Sequence, residues 1–251
     1  MKPKTAIICS LAMLFCACSG NKTASVSGKI SNGANKSLKI ALQTFGGNEV
    51  VGYSELPADG SFSFKIRKDD DRFSQLETSP MILKLFIDED DCINTILCMN
   101  DDIKLTADAG NMSKSYSISG GEEAVLKHSL DSALLTFINS VDTLYAIYEK
   151  NIENDSIREE IESDYLLIVE KHRLYLEDFI EKHPYHIASY LAFFQSYNRR
   201  EFFDKNKDIG ILGKINSNLL EKYPESEYVK SMISYENDIK NNTVTIKSPE
   251  Q

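Results

Sequence analysis

The chain lacks a Cys-x-x-Cys, a phosphate-binding glycine loop, a spaced set of metal ligands and a second long apolar run. Each absence removes a class of function. Without Cys-x-x-Cys there is no dithiol redox centre. Cys92 and Cys98 are separated by a β-branched, strand-like run. Six extended residues span roughly 20 Å at ~3.3 Å each, and a disulfide needs Cα atoms within ~7 Å. Unless the chain folds back there, the two cysteines stay unpaired and read as small buried hydrophobes. Their spacing also suits no close metal pair. Histidine is sparse, with His128, His172, His183 and His186 the whole set. His183 and His186 are three apart, but Pro184 breaks the helix that would align their rings, and no cysteine stands nearby; no metal site is expected. His172 falls on an apolar stripe and reads as a core histidine. Gly46-Gly47 and Gly120-Gly121 read as a turn and a boundary, not as phosphate loops. Positive charge is also scarce: 28 Lys and Arg stand against 38 Asp and Glu, a formal net charge of −10. Such a chain is repelled by phosphate backbones and anionic headgroups, which argues against a nucleic-acid partner.

The acidic residues carry no visible chemistry. Glu159-Glu160 and Asp69-Asp70-Asp71 lie in polar runs and read as solvated faces or loops. Asp88-Glu89-Asp90-Asp91 has the charge for Ca²⁺ but neither the glycine nor the ligand alternation of an EF-hand loop. No residue is assigned a catalytic role, no cofactor is expected, and the chain reads as a non-enzyme.

What is present begins at the N-terminus. Lys2 and Lys4 precede an apolar run over 6–15, shorter than the ~20 residues a membrane-spanning helix needs. Leu14-Phe15-Cys16-Ala17-Cys18-Ser19-Gly20 resembles a loose bacterial lipobox, so residues 1–17 read as a signal peptide removed before a lipidated Cys18. Cys9 and Cys16 leave with it. Loss of Lys2 and Lys4 takes the net charge to −12. Stable anchoring takes more than one acyl chain, as bacterial lipoproteins resemble in carrying a diacylglycerol and often an N-acyl chain. Ser19 rather than Asp after Cys18 favours the outer membrane. The absence of acid in Ser19-Gly20-Asn21-Lys22-Thr23 favours its periplasmic face.

The mature chain divides by periodicity. Residues 18–24 read as a tether. Residues 25–120 alternate with period two between turn signals, which predicts an antiparallel β-sandwich. Its clearest hairpin is expected over 50–66, turning at Pro57-Ala58-Asp59-Gly60. Residues 121–241 form a helical domain, so the fold class is α+β with segregated halves. There Leu126, Leu130, Leu134, Phe137, Val141, Leu144, Tyr148 and Ile152 step by three or four. Ser156 with Glu159 resembles a capping box opening a second long helix. That helix carries Ile157, Ile161, Tyr165, Ile168, His172, Tyr175 and Phe179, and Pro184 ends it. Shorter helices are expected near 185–197, 209–223 and 225–241, then a frayed tail over 242–251.

Four stretches carry a family resemblance. Val26-Ser27-Gly28-Lys29-Ile30 with Leu38-Lys39-Ile40, and Leu56-Pro57-Ala58-Asp59-Gly60-Ser61-Phe62-Ser63-Phe64, are similar to a paired set of opening strands and a central hairpin. Phe179-Ile180-Glu181-Lys182-His183-Pro184 and Lys222-Tyr223-Pro224-Glu225-Ser226-Glu227-Tyr228-Val229 resemble closing helical turns. Together they resemble the N-terminal, non-catalytic part of lipoprotein thiol–disulfide oxidoreductases of Gram-negative anaerobes. In that family a thioredoxin-like domain follows and would begin near 245. The resemblance therefore implies the scaffold without the enzyme, and no family catalytic residue has a counterpart here. Two functions follow as expectations: an envelope lipoprotein that binds a protein partner or small ligand, or an accessory working in trans with a separate thioredoxin-like redox protein. Asp131-Ser132-Ala133, Asp142-Thr143-Leu144 and Asp155-Ser156-Ile157 are similar to an O-glycosylation acceptor of some such bacteria, with only Ser156 at a loop-to-helix junction.

Overall fold

A computed structural model describes residues 23–44, 47–67 and 70–247. The signal segment, Cys18 and Asp69 lie outside the described residues.

The period-two half forms eight strands: β1 (Thr23–Ser31), β2 (Ser37–Thr44), β3 (Gly47–Glu55), β4 (Ser61–Arg67), β5 (Met81–Asp88), β6 (Asp91–Leu97), β7 (Asp102–Asp108) and β8 (Ser117–Ser119). One sheet runs β4-β1-β7-β8 and the other β3-β2-β5-β6. Between them lie the alternating side chains, with Val26, Ile30, Leu38, Ile40, Leu83 and Leu105 fully covered. A 3-10 segment, Asp71–Glu77, adds Phe73 and Leu76 to this core. Asp70 caps it by accepting from the Arg72 N–H.

Two expectations for the sandwich are corrected. Residues 50–66 are not a hairpin, because β3 pairs with β2 and β4 with β1, in different sheets. The turn itself forms: the Gly60 N–H donates to the Pro57 carbonyl. Gly60 has φ +69°, and a Cβ there would meet the Ile30 carbonyl at 2.1 Å. The Gly60 carbonyl in turn accepts from the Ile30 N–H at 2.9 Å. That bond fastens the turn to β1, so the chain leaves it as a partner of β1 rather than of β3. The sandwich is also not purely antiparallel, since β1 and β7 run parallel.

The period-3.6 half follows a short helix α1 (Met112–Ser115) and consists of α2 (Glu122–Lys150), α3 (Asp155–Lys182), α4 (Ile187–Phe193), α5 (Ile209–Lys222) and α6 (Glu227–Lys247). A two-residue ladder, β9 (Ser196–Tyr197) with β10 (Arg200–Glu201), lies between α4 and α5. Asn198 and Arg199, both at positive φ, form its turn and cut short the helix expected to reach 197. No proline or glycine falls between Glu225 and Ser248. The last helix accordingly continues to Lys247, into the stretch expected to fray.

The halves have separate cores but pack against each other. Gly120 and Gly121, at φ +76° and +119°, turn the chain from β8 into α2. Ile82 and Ile96, a cross-strand pair on β5 and β6, face away from the sandwich and belong to the helical core with Leu130, Leu176 and Phe193. Both faces of this strand pair are therefore covered, which is why its sequence is a near-continuous apolar run.

Candidate functional site

The α2–α3 hairpin is built from two apolar stripes, and those stripes outrun the core that covers them. On α2 the buried side chains are Glu123, Ala124, Leu130 and Phe137; on α3 they are His172, Leu176, Phe179 and Ile180. None of the residues from 138 to 171 is buried. From Phe137 to Lys150 α2 continues for about 20 Å at ~1.5 Å per residue. α3 opens beyond the turn with Asn154 as its cap, accepting from the Ile157 N–H at 3.3 Å. The cap is thus Asn154, not the expected Ser156–Glu159 box, because the helix starts at Asp155, two residues before a Ser156 cap would start it.

Along this arm the helices enclose an open groove of about 650 Å³, within the ~300–1,000 Å³ typical of ligand sites. Leu144, Tyr145 and Tyr148 line it from α2, and Ile161 and Tyr165 from α3. Tyr145 is 60% exposed, and its ring stacks on that of Tyr148 at 6.5 Å. A hydrogen bond with Glu149 raises the Tyr145 hydroxyl above its usual pKa. Arg200, in β10, lies over the Tyr165 ring at 5.4 Å. Asp155, Arg158, Glu159 and Glu162 line the groove with them. Arg158 is paired to Asp155; among the described residues Glu159 and Glu162 have no ion-pair partner.

The other residues singled out in the sequence have structural roles. Cys92 and Cys98 are free thiols on either side of the β6 core. Burial, with Asp101 beside it, pushes the Cys98 thiol well above its usual pKa, so it is a poor nucleophile. Asp91 of the acidic cluster accepts from the Met112 and Ser113 N–H groups and so caps α1. Burial opposes its ionisation, but these hydrogen bonds outweigh burial and hold its carboxyl below the usual value. His128 Nε2 lies 3.0 Å from the Tyr116 carbonyl. His172 packs against Phe137 and Phe202 with Nε2 2.6 Å from Gln195 Oε1; burial, partly offset by that bond, lowers its pKa. The rings of His183 and His186 stand 5.8 Å apart. Among the described residues no group of three His, Cys, Asp or Glu is placed to hold a metal ion. Ser156 is exposed in the first turn of α3. Ser132 and Thr143 sit within α2 and bond to the carbonyls of His128 and Asn139.

One residue with a defined role escaped the sequence reading. Glu123, in the first turn of α2, is 2% exposed. Its two carboxylate oxygens accept from the Ile187 and Ala188 N–H groups at 2.9 and 3.1 Å. It therefore caps α4 from another helix and neutralises that helix's positive end. His186 Nδ1 lies 3.3 Å away but makes no hydrogen bond of proper geometry. A glutamate opening a helix looks like an ordinary dipole residue, so nothing in the sequence marks this one as buried.

The chain matches no family model, no curated protein and no solved structure.

Proposed function

We propose that this chain is a non-enzymatic envelope lipoprotein, held at the periplasmic face of the outer membrane through acylated Cys18, that binds a protein partner or small ligand along its helical hairpin. The observation that carries this reading is the uncovered groove. Apolar and aromatic side chains continue along 138–171, where no residue is buried. Exposed apolar surface that persists in one contiguous place, rimmed by charge, marks an interaction site. Among the described residues no helix is long and apolar enough to cross a membrane; the lipobox-like stretch ending at Cys18 supports attachment through a lipid.

Two measurements test the two halves of this reading. Cys18→Ala should abolish the diacylglycerol-modified N-terminal peptide in mass spectra and release the protein from membranes. Unchanged membrane fractionation would place the anchor elsewhere. A photo-crosslinking residue at position 145 should yield an adduct of defined mass in cells, and one at exposed position 88 should not. Equal yields at the two positions, or none at 145, would refute the groove as the binding face.

A further inference from the structure

The groove's chemistry specifies its occupant more closely than partner or ligand. We propose that it takes a cationic, amphipathic polypeptide helix, laid along the seam between α2 and α3 as a third helix. This rests on the docking role proposed above. Three features carry it.

The first is shape. The seam between two antiparallel helices is a ready-made slot for a third, which packs its apolar ridge against both. From Val141, the last α2 side chain packed against the core, to Lys150 the groove runs about 14 Å, which matches some nine residues of incoming helix. The second is charge. Residues 138–171 hold nine acidic side chains and only three basic ones, Lys150, Arg158 and Lys171. Arg158 is already paired to Asp155, while among the described residues Glu159 and Glu162, which line the groove, have no ion-pair partner. A second copy of the chain would bring the same acidic arm against this one, and like charge in apposition works against that pairing. Anionic lipid is repelled for the same reason. The third is the aromatic lining. Tyr145, Tyr148 and Tyr165 offer ring faces, and cations are held over such faces. The chain itself does this at one edge of the site, where Arg200 lies over Tyr165. A partner helix with leucines along one face and lysines or arginines along its flanks satisfies all three features. Leucine fills the seam, and the basic flanks meet Glu159, Glu162 and the tyrosines.

The test uses the full chain in a non-ionic detergent and two synthetic 18-residue helices. One has a leucine face flanked by lysines; in the other glutamate replaces every lysine. Isothermal titration should show saturable one-to-one binding of the lysine helix and none of the glutamate helix. The double variant Glu159→Lys, Glu162→Lys should weaken binding about tenfold and flatten its salt dependence. That loss corresponds to ~1.4 kcal/mol. Tyr145→Ala, at an exposed position, should weaken binding by about three- to tenfold with the salt dependence unchanged. Asp88→Lys, Asp90→Lys removes as much negative charge from the sandwich and should leave affinity unchanged. If the sandwich variant weakens binding as much as the groove variant, attraction is to net charge alone and the proposal fails. It also fails if both helices bind alike, if the free chain dimerises through position 145 in sedimentation, or if it binds anionic vesicles through the arm. No binding of either helix, with the cellular adduct at 145 intact, would overturn the cationic-helix assignment and leave the docking role standing.

Discussion

Glu122 and Glu123 are neighbours of identical chemistry, and their environments differ enough to make a decisive pair of mutations. Glu122 has 77% of its side chain exposed, and Glu123 only 3%. Glu123→Ala removes two charge-assisted hydrogen bonds at the start of α4 and leaves the Ile187 and Ala188 N–H groups buried without an acceptor. Hydrogen bonds to a charged group contribute about 1.5–3 kcal/mol, and a buried N–H left without an acceptor costs about 1–3 kcal/mol. These figures overlap, so a loss of about 3–4 kcal/mol is expected. Glu123→Gln keeps one acceptor but turns an NH₂ group toward the second N–H, and should lose about 2 kcal/mol. Glu122→Ala should stay within ~0.5 kcal/mol of wild type. In urea, with m near 2–3 kcal/mol/M for a chain of this size, Glu123→Ala should move the midpoint down by about 1–2 M. Far-UV circular dichroism follows the helices and intrinsic tyrosine fluorescence follows packing. Both probes should shift together, because Glu123 joins α2 to α4 within one core. A Glu123→Ala midpoint within ~0.3 M of Glu122→Ala would refute the reasoning, since it would mean the cap is not formed.

Other outcomes follow from burial and titration. Phe137→Ala should lose ~3–5 kcal/mol, Leu134→Ala clearly less because Leu134 is only half-buried, and Tyr145→Ala almost nothing, all by urea midpoint. Thr95 Oγ1 is buried without a hydrogen-bond partner, facing the sandwich core opposite Leu83, so Thr95→Val should raise stability by ~1 kcal/mol. His172 has its pKa lowered by burial, so the unfolded chain takes up the proton first. Its contribution to stability is therefore complete above about pH 6.5 and falls as pH drops from there through the folded-state pKa. Between pH 7.5 and 5 the wild type should lose more urea stability than His172→Gln. Insulin reduction with dithiothreitol should run at the no-protein rate, and a dependence on Cys92 or Cys98 would show that a thiol here is reactive.

The divide between strands and helices was legible because it is a change of period, and period is a local property of the chain. Pairing is not local. Pro57-Ala58-Asp59-Gly60 announces a turn, and a turn forms, but the bond from the Ile30 N–H to the Gly60 carbonyl, thirty residues away in sequence, decides which sheet β4 joins. The same limit hid the parallel β1–β7 ladder. Helix ends were read to within a residue or two where proline marks them, as at Pro184. The capping residue, though not the approximate boundary, was missed where an asparagine cap competed with a more conspicuous serine–glutamate pattern.

The groove was half legible, and the missing half is what makes it a site. Leu144, Tyr148, Ile161 and Tyr165 were read as stripe residues, and a stripe is ordinarily core. Whether a stripe is covered depends on the lengths of the elements packed against it. Here α4 and the β9–β10 ladder are short, and the buried residues of α2 and α3 end at Phe137 and His172. Beyond them Ile138, Val141, Ile168 and Val169 still pack against that core, and farther out, around Leu144, Tyr145, Tyr148 and Ile161, no residue is buried, with Arg200 reaching Tyr165 at one edge. A hairpin needs no aromatic seam merely to hold two helices together, since leucine and alanine pack such seams well. It needs still less to line that seam with Glu159 and Glu162 on an arm that holds nine acidic residues against three basic ones, because like charges along neighbouring turns destabilise the helices that carry them. Tyrosines along an uncovered seam and acid around it work against the arm as a free-standing element. Both become favourable once a basic, apolar-faced helix occupies the groove, which buries the rings and neutralises the rim. The arm should therefore be the least stable part of the helical half when empty. Amide exchange at 144–165 should be faster than at 172–180 in the free chain and should slow on adding the lysine-flanked helix. Equal protection of the two stretches before addition would show that the seam is already satisfied and in no need of an occupant.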